Sequence, residues 1–123
     1  AVTFDVVAAG PTYCGGVIAP GLGAMQDYLG RRTALLPQIE LDEPATAIGK
    51  STVEAMQAGA VFGYRGLVRE IIMRLRMEMA GEPAIIATGG DAGLIARGLP
   101  DIGKVDPDLT LEGLRLAAVR NLH

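Results

Sequence analysis

Between Thr52 and about Ala80, apolar residues recur in steps of three or four without a break: Val53, Met56, Ala60, Tyr64, Leu67, Ile71, Leu75 and Met79. That spacing predicts one long helix, the longest element of the chain. Ser51 is placed to cap it, and Glu54, three residues on, completes a capping-box pattern. Gly59, Gly63 and Gly66 fall in its middle, and each costs up to about 1 kcal/mol relative to alanine. Something must therefore need a flat surface there. Close packing inside one domain and a two-fold helix–helix contact between two copies both meet that need, and the pattern alone leaves them open.

The residues in front of this helix, "PATAIGKST", end like a phosphate-binding loop, G-x-x-x-x-G-K-[ST]. Gly49, Lys50 and Ser51 fit its last three places, but the first glycine is replaced by Pro44. Proline has a fixed φ and no N–H to offer a phosphate. The preceding "IELDE" is also not the buried strand that feeds such a loop. A P-loop is rejected.

Upstream, "VTFDVV" is rich in β-branched residues and predicts a strand, "AAGP" a turn, and "YCGGVIAP" a second strand returning beside the first. Gly15 and Gly16 inside it predict a bulge or a close approach by another backbone or ligand. "GLGAMQDYLGRR" predicts a short helix with Leu22, Met25, Tyr28 and Leu29 on one face. "TALLPQIELDEPATAIG" is a long loop with a short extended piece at Gln38–Leu41, and loops of that length tend to be functional. Downstream, "GEP" ends the long helix and "AIIATGG" predicts a short buried strand running into two glycines. "DAGLIARGL" is a helix, "KVDP" a short strand or turn, and "LTLEGLRLAAVRNL" a closing helix capped by Thr110. The order β-β-α-α-β-α-(β)-α implies an α/β fold with at least one parallel strand pair.

One domain is expected for 123 residues, half of them hydrophobic. Eleven basic against fourteen acidic residues, net charge −3, with few aromatics and no basic run, argue against nucleic-acid binding. Residues 6–26 carry no charge, yet five glycines and two prolines interrupt them. Asp5 precedes them in place of a basic region, so neither a membrane helix nor a signal peptide is expected. The single cysteine, Cys14, allows no internal disulfide and fits a reducing cytoplasm. Cys14, His123 and the scattered acids show no metal-ligand spacing.

No nucleophile-and-base set is present. The only histidine is His123, the last residue, and the acids Asp5, Asp27, Glu40, Asp42, Glu43, Glu54 and Asp91 fit solvated, capping or edge positions. In "ATGGDAGLI" a strand ends, Gly89 and Gly90 form a surface without side chains, and Asp91 begins a helix. Such a turn suits a flat ring or a phosphate, and equally an ordinary strand-to-helix connection.

Several phrases together resemble one family. "TFDVV…YCGGVIAPGL", "LGRRTALLPQI", "AIGKSTVEAMQAGAVFGYRGLV", "IIATGGDAGLIA" and "VDPDLTLEGLRLAAVRN" follow in the order found in type III pantothenate kinase, over essentially the whole chain. The resemblance implies the C-terminal lobe, 1–123, of a kinase in the sugar kinase, heat-shock chaperone and actin superfamily. It implies a ribonuclease H-like lobe, a mixed sheet with helices packed on it and the long helix at a dimer seam. It further implies ATP, Mg²⁺ and a monovalent cation, K⁺ or NH₄⁺, as requirements of a cytoplasmic homodimer that phosphorylates pantothenate in the first step of coenzyme A synthesis.

Residue by residue, Thr52 matches the threonine of G-x-x-T-x-x-A-M-Q, which contacts pantothenate bound mainly by the neighbouring subunit, and Gly49 opens that motif. Lys50 is then incidental. Thr88, Gly89 and Gly90 match the turn near the nucleoside of ATP. Thr3 and Asp5 match the end of D-x-G-T-A-x-T-x-D, with Thr3 nearest the phosphates. The start of that motif and the N-terminal lobe, with the general-base aspartate, would precede Ala1. The chain is accordingly expected to be a fragment of a protein about twice as long, inactive by itself. Two other readings stay open: a non-catalytic regulatory relative acting as a transcriptional accessory or partner, and a different kinase or hydrolase of the superfamily.

Overall fold

The computed structural model describes residues 1–32 and 39–109. Its elements are β1 (Val2–Ala8), β2 (Thr12–Ala19), α1 (Leu22–Arg32), α2 (Thr52–Glu78), β3 (Ile86–Ala87), α3 (Ala92–Ala96) and β4 (Lys104–Val105). The chain divides into two compact units, Ala1–Ile72 and Met73–His123. The order matches the sequence expectation as far as residue 109. The closing helix with Thr110, His123 and part of the extended piece at Gln38–Leu41 fall outside the described residues.

In the first unit β1 and β2 form an antiparallel hairpin. A three-residue turn joins them, with Gly10 at φ 80°, a conformation glycine adopts without strain. Thr12 Oγ1 donates to the Gly10 carbonyl at 3.1 Å. The register shifts between Val6 and Val7: Val6 pairs with Gly15 and Val7 with Tyr13, so Cys14 is the extra residue. Gly15 sits at φ 111°, and a side chain on Gly16 would run into the Phe4 carbonyl. Both glycine expectations hold: a bulge and a close backbone approach.

α1 buries Leu22 and half-buries Met25, but Tyr28 is 61% exposed. Tyr28 therefore leaves the face expected for it, as its phenol can stay in water. α2 buries Met56, Ala58, Ala60, Val61, Tyr64, Arg65, Val68 and Ile72. Its buried stripe is rotated from the expected one: Val61, Val68 and Ile72 lead it, while Leu67, Ile71 and Leu75 are half-buried and Val53 is exposed. Apolar residues lie on nearly every side of this helix, so a three-or-four step could be threaded in more than one phase. Gly59 and Gly63 are exposed and Gly66 half-buried. Among the described residues nothing lies within 4 Å of a Cβ added at any of the three. Close packing among the described residues does not explain them.

In the second unit Gly81, at φ 75°, follows the end of α2. β3 and β4 then pair in parallel, Ile86 with Lys104 and Ala87 with Val105. The Gly103 amide reaches the Ile85 carbonyl at 3.1 Å and the Asp106 amide the Ala87 carbonyl at 2.8 Å. Leu99 and Ile95 are buried. The Arg76 guanidinium meets Asp101 at 3.1 Å. The expected parallel pair is present, with two corrections. β3 is two residues long and Ile86 is 51% exposed, so it is not a buried strand. Among the described residues the strands form two separate two-stranded sheets rather than one mixed sheet.

Candidate functional site

The N-terminus of α2 is the most fully built of the expected positions. Glu54 donates its amide to Ser51 Oγ at 3.2 Å, and the Ala55 amide closes the first turn on the Ser51 carbonyl at 2.9 Å. Glu54 Oε2 in return accepts the Lys50 amide at 2.8 Å. The capping box is thus present but reaches one residue further back than the usual N-cap amide. Lys50 enters this cap through its backbone amide.

Gly49 lies directly against this first turn. A Cβ there would come 2.6 Å from the Ala55 Cα and 2.7 Å from the Glu54 carbonyl carbon, and would collide with the Ala55 nitrogen. Only glycine lets the chain pass so close. The result presents Thr52 as the first residue of a 27-residue helix, exposed. The helix start carries partial positive charge from its unpaired amides, which favours a polar or anionic ligand.

The hairpin carries Thr3 and Asp5 on its exposed face, opposite Ile18 and Gly16. Tyr13 Oη donates to Asp5 Oδ1 at 3.1 Å. That hydrogen bond, and the repulsion between the carboxylate and a tyrosinate, hold the Tyr13 phenol above its ordinary pKa. Because the folded value is raised, the contact stabilises the fold below the unfolded tyrosine value of about 10 and is lost as pH rises through the higher folded value. Asp5→Ala is expected to bring Tyr13 ionisation back toward the ordinary range. An alkaline titration followed by tyrosinate absorbance checks this.

In the second unit Thr88, Gly89 and Gly90 form one exposed turn, with Gly89 at φ 110°. The Ala92 amide returns to the Gly89 carbonyl at 3.3 Å. Asp91 makes no side-chain capping bond, and α3 is only five residues long. A helix that short sums few peptide dipoles, so its start adds little attraction for a phosphate. The concavity lined by Pro83, Ile85, Asp101 and Lys104 contains none of these three residues. Among the described residues no group of three or more His, Cys, Asp or Glu could hold a metal ion. No helix among them is long and apolar enough to cross a membrane.

One residue that pattern reading passed over is Arg65. It is 4% exposed and forks onto Glu43, NH1 to Oε1 at 3.2 Å and NH2 to Oε2 at 2.6 Å. The sequence carries no signal that singles it out from Arg69, Arg74 and Arg76 on the same helix.

A family model for type III pantothenate kinase matches residues 1–74, more than half of the chain. The chain belongs to the type III pantothenate kinase family. The type III pantothenate kinase of Akkermansia muciniphila is 65% identical over 122 residues, covering 99% of this chain and 50% of the relative. That of Moorella thermoacetica is 50% identical over 121 residues, covering 98% and 48%. The chain thus spans about half the length of the pantothenate kinases it matches. Among solved structures, a protein of the Baf family of transcriptional activators from Campylobacter jejuni superposes with a TM-score of 0.63 at 21% identity, covering 97% of this chain and 53% of its own. At that identity the likeness is one of fold. The resemblance to the type III pantothenate kinase family is therefore upheld.

Proposed function

We propose that this chain is the C-terminal half of an ATP-dependent pantothenate kinase, which phosphorylates pantothenate to 4'-phosphopantothenate at the start of coenzyme A synthesis. The observation that carries the reading is Thr52: exposed on the first turn of α2, fixed by Gly49, Ser51 and Glu54, in a chain of this family. Thr52 contacts pantothenate held mainly by the neighbouring subunit of a homodimer. The glycine face of α2, uncovered among the described residues, supports such a seam, since flat helix faces let two backbones approach. Thr3, Thr88, Gly89 and Gly90 contact the nucleotide.

In phosphoryl transfer the protein's task is mostly positioning and charge neutralisation. The pantothenate hydroxyl loses its proton to a base as its oxygen attacks the γ-phosphorus, and ADP leaves. This half orients the two substrates, and the base comes from the other half, so the chain alone is inactive. Mg²⁺ and K⁺ or NH₄⁺ are required by the same reading. The described residues offer no carboxylate cluster for a metal, and no step is assigned to one on this chain.

The test begins with the intact mass of the natural polypeptide. A mass near twice 12.8 kDa, with K⁺-dependent turnover of pantothenate and ATP, is the expected result. A mass equal to that of this chain, without turnover, removes the kinase reading and leaves a non-catalytic partner role.

A further inference from the structure

We propose that Glu43 and Arg65 are positioning residues that set the placement of Gly49 and Thr52 through the strap in front of α2. The proposal rests on the pantothenate kinase reading for its effect on substrate, but its geometric part stands by itself.

Residues 39–51 form no helix or strand, so their place is fixed by side chains. Ile39 is buried, and its carbonyl accepts from the Gln26 amide group. Gln57 Nε2 donates to the Glu40 carbonyl at 3.2 Å. Arg65 then grips Glu43 with both prongs of its guanidinium, and Glu54 holds the Lys50 amide. Gln57, Arg65 and Glu54 are all residues of α2. The strap is therefore held to α2 in turn by Gln57, Arg65 and Glu54.

Arg65, which holds Glu43, is the farthest of the three along α2. About 16 Å of helix rise separates Glu54 from Arg65 at 1.5 Å per residue. The chain from Glu43 to Lys50 can reach at most about 25 Å, and it bends on the way at Ala45, Ala47, Ile48 and Lys50. It ends with Gly49 pressed on the first turn of α2. A displacement at Glu43 is passed through this bent segment to the residues that present Thr52.

The chemistry of the grip points the same way. Arg65 is nearly buried while the Glu43 side chain is 40% exposed. An apolar residue would fill the Arg65 place at less desolvation cost, since buried ion pairs are seldom the most stabilising choice. What the pair adds is register: a planar fork accepts a carboxylate in one orientation.

The deciding experiment uses Glu43→Gln in the natural polypeptide. The carboxamide keeps the shape but sets an NH₂ group against a guanidinium donor. Amide hydrogen exchange over residues 49–55 is expected to quicken about tenfold, the worth of one charge-assisted hydrogen bond, while Val61 and Val68 stay unchanged. The KM for pantothenate is expected to rise about tenfold, with kcat and the KM for ATP within about twofold, the pattern of lost ground-state placement. Unchanged exchange at 49–55 overturns the proposal, as does exchange that quickens evenly along α2. If Glu43→Gln does not fold, Arg65→Lys keeps the charge and loses the fork. It must show the same local exchange effect, and wild-type exchange there also overturns the proposal. Should the unaltered polypeptide not turn over pantothenate, the kinase reading falls, and the exchange result still decides whether the pair positions the strap.

Discussion

Gly49→Ala is expected to lower folding stability by about 3 kcal/mol, the upper end for a side chain forced into filled space. The methyl group has no soft neighbour to push aside. It would meet the Ala55 Cα at 2.6 Å and the Glu54 carbonyl carbon at 2.7 Å, both backbone atoms of a hydrogen-bonded first turn. Relief can come only by lifting residues 44–50 away from α2 or by unwinding that turn. Lifting the strap breaks the Lys50–Glu54 bond. Unwinding frees the Ser51 cap and loses about 1 kcal/mol more. Urea unfolding monitored by far-ultraviolet circular dichroism measures the loss. A change below about 0.5 kcal/mol, the usual size for an uninvolved surface site, would mean that Gly49 is not held against the helix.

The glycines on the outer face of α2 provide the opposite case. Nothing described lies within 4 Å of a Cβ at Gly59 or Gly63, and both are exposed helix-interior positions. Alanine there relieves a helix-propensity cost without a clash. A chain carrying these glycines for its own stability would be improved by their loss. Their retention fits the proposed seam, where a second copy makes use of the flat face.

The residues show why some of this was legible in sequence. The hairpin, its bulge at Gly15, the capping pair Ser51–Glu54 and the parallel pairing of β3 with β4 rest on local rules: turn chemistry, β-branching, cap spacing and chain order. Each is decided within a few residues. The phase of α2 was not legible, because Val61, Phe62, Leu67, Ile71, Met73 and Met77 surround the helix and only the neighbours select a buried side. The Arg65–Glu43 pair was not legible either, since its partners are 22 residues apart and sequence carries no signal for which acid of "IELDE" an arginine will meet. Asp91 stands at the start of α3 but makes no side-chain capping bond. Its φ of −96° and ψ of 0° lie in the helical region, whereas a capping residue needs extended backbone to turn its side chain onto the next amides. Within the candidate site, Gly49 and Thr52 were placed by motif, and the steric demand that makes Gly49 a glycine became visible only in three dimensions.

Thr52→Ala is expected to reduce kcat/KM for pantothenate by about ten- to a hundredfold, the loss of one hydrogen bond to a charged or strongly polar group. The loss should sit in KM, because a contact to the non-reacting part of a substrate is made equally in ground and transition states. Thr52→Ser keeps the hydroxyl and should restore most of the activity, while the KM for ATP stays unchanged in both variants. Folding should be little affected, since Thr52 is exposed and alanine is a good helix former. The proposed placement across the dimer has its own signature. In hybrid dimers, one subunit carries Thr52→Ala and the other lacks the general base. One site then joins an intact base to the partner's intact threonine, and half of the normal activity per dimer returns. If Thr52 served its own subunit, no site in the hybrid would have both groups, and mixing would restore nothing.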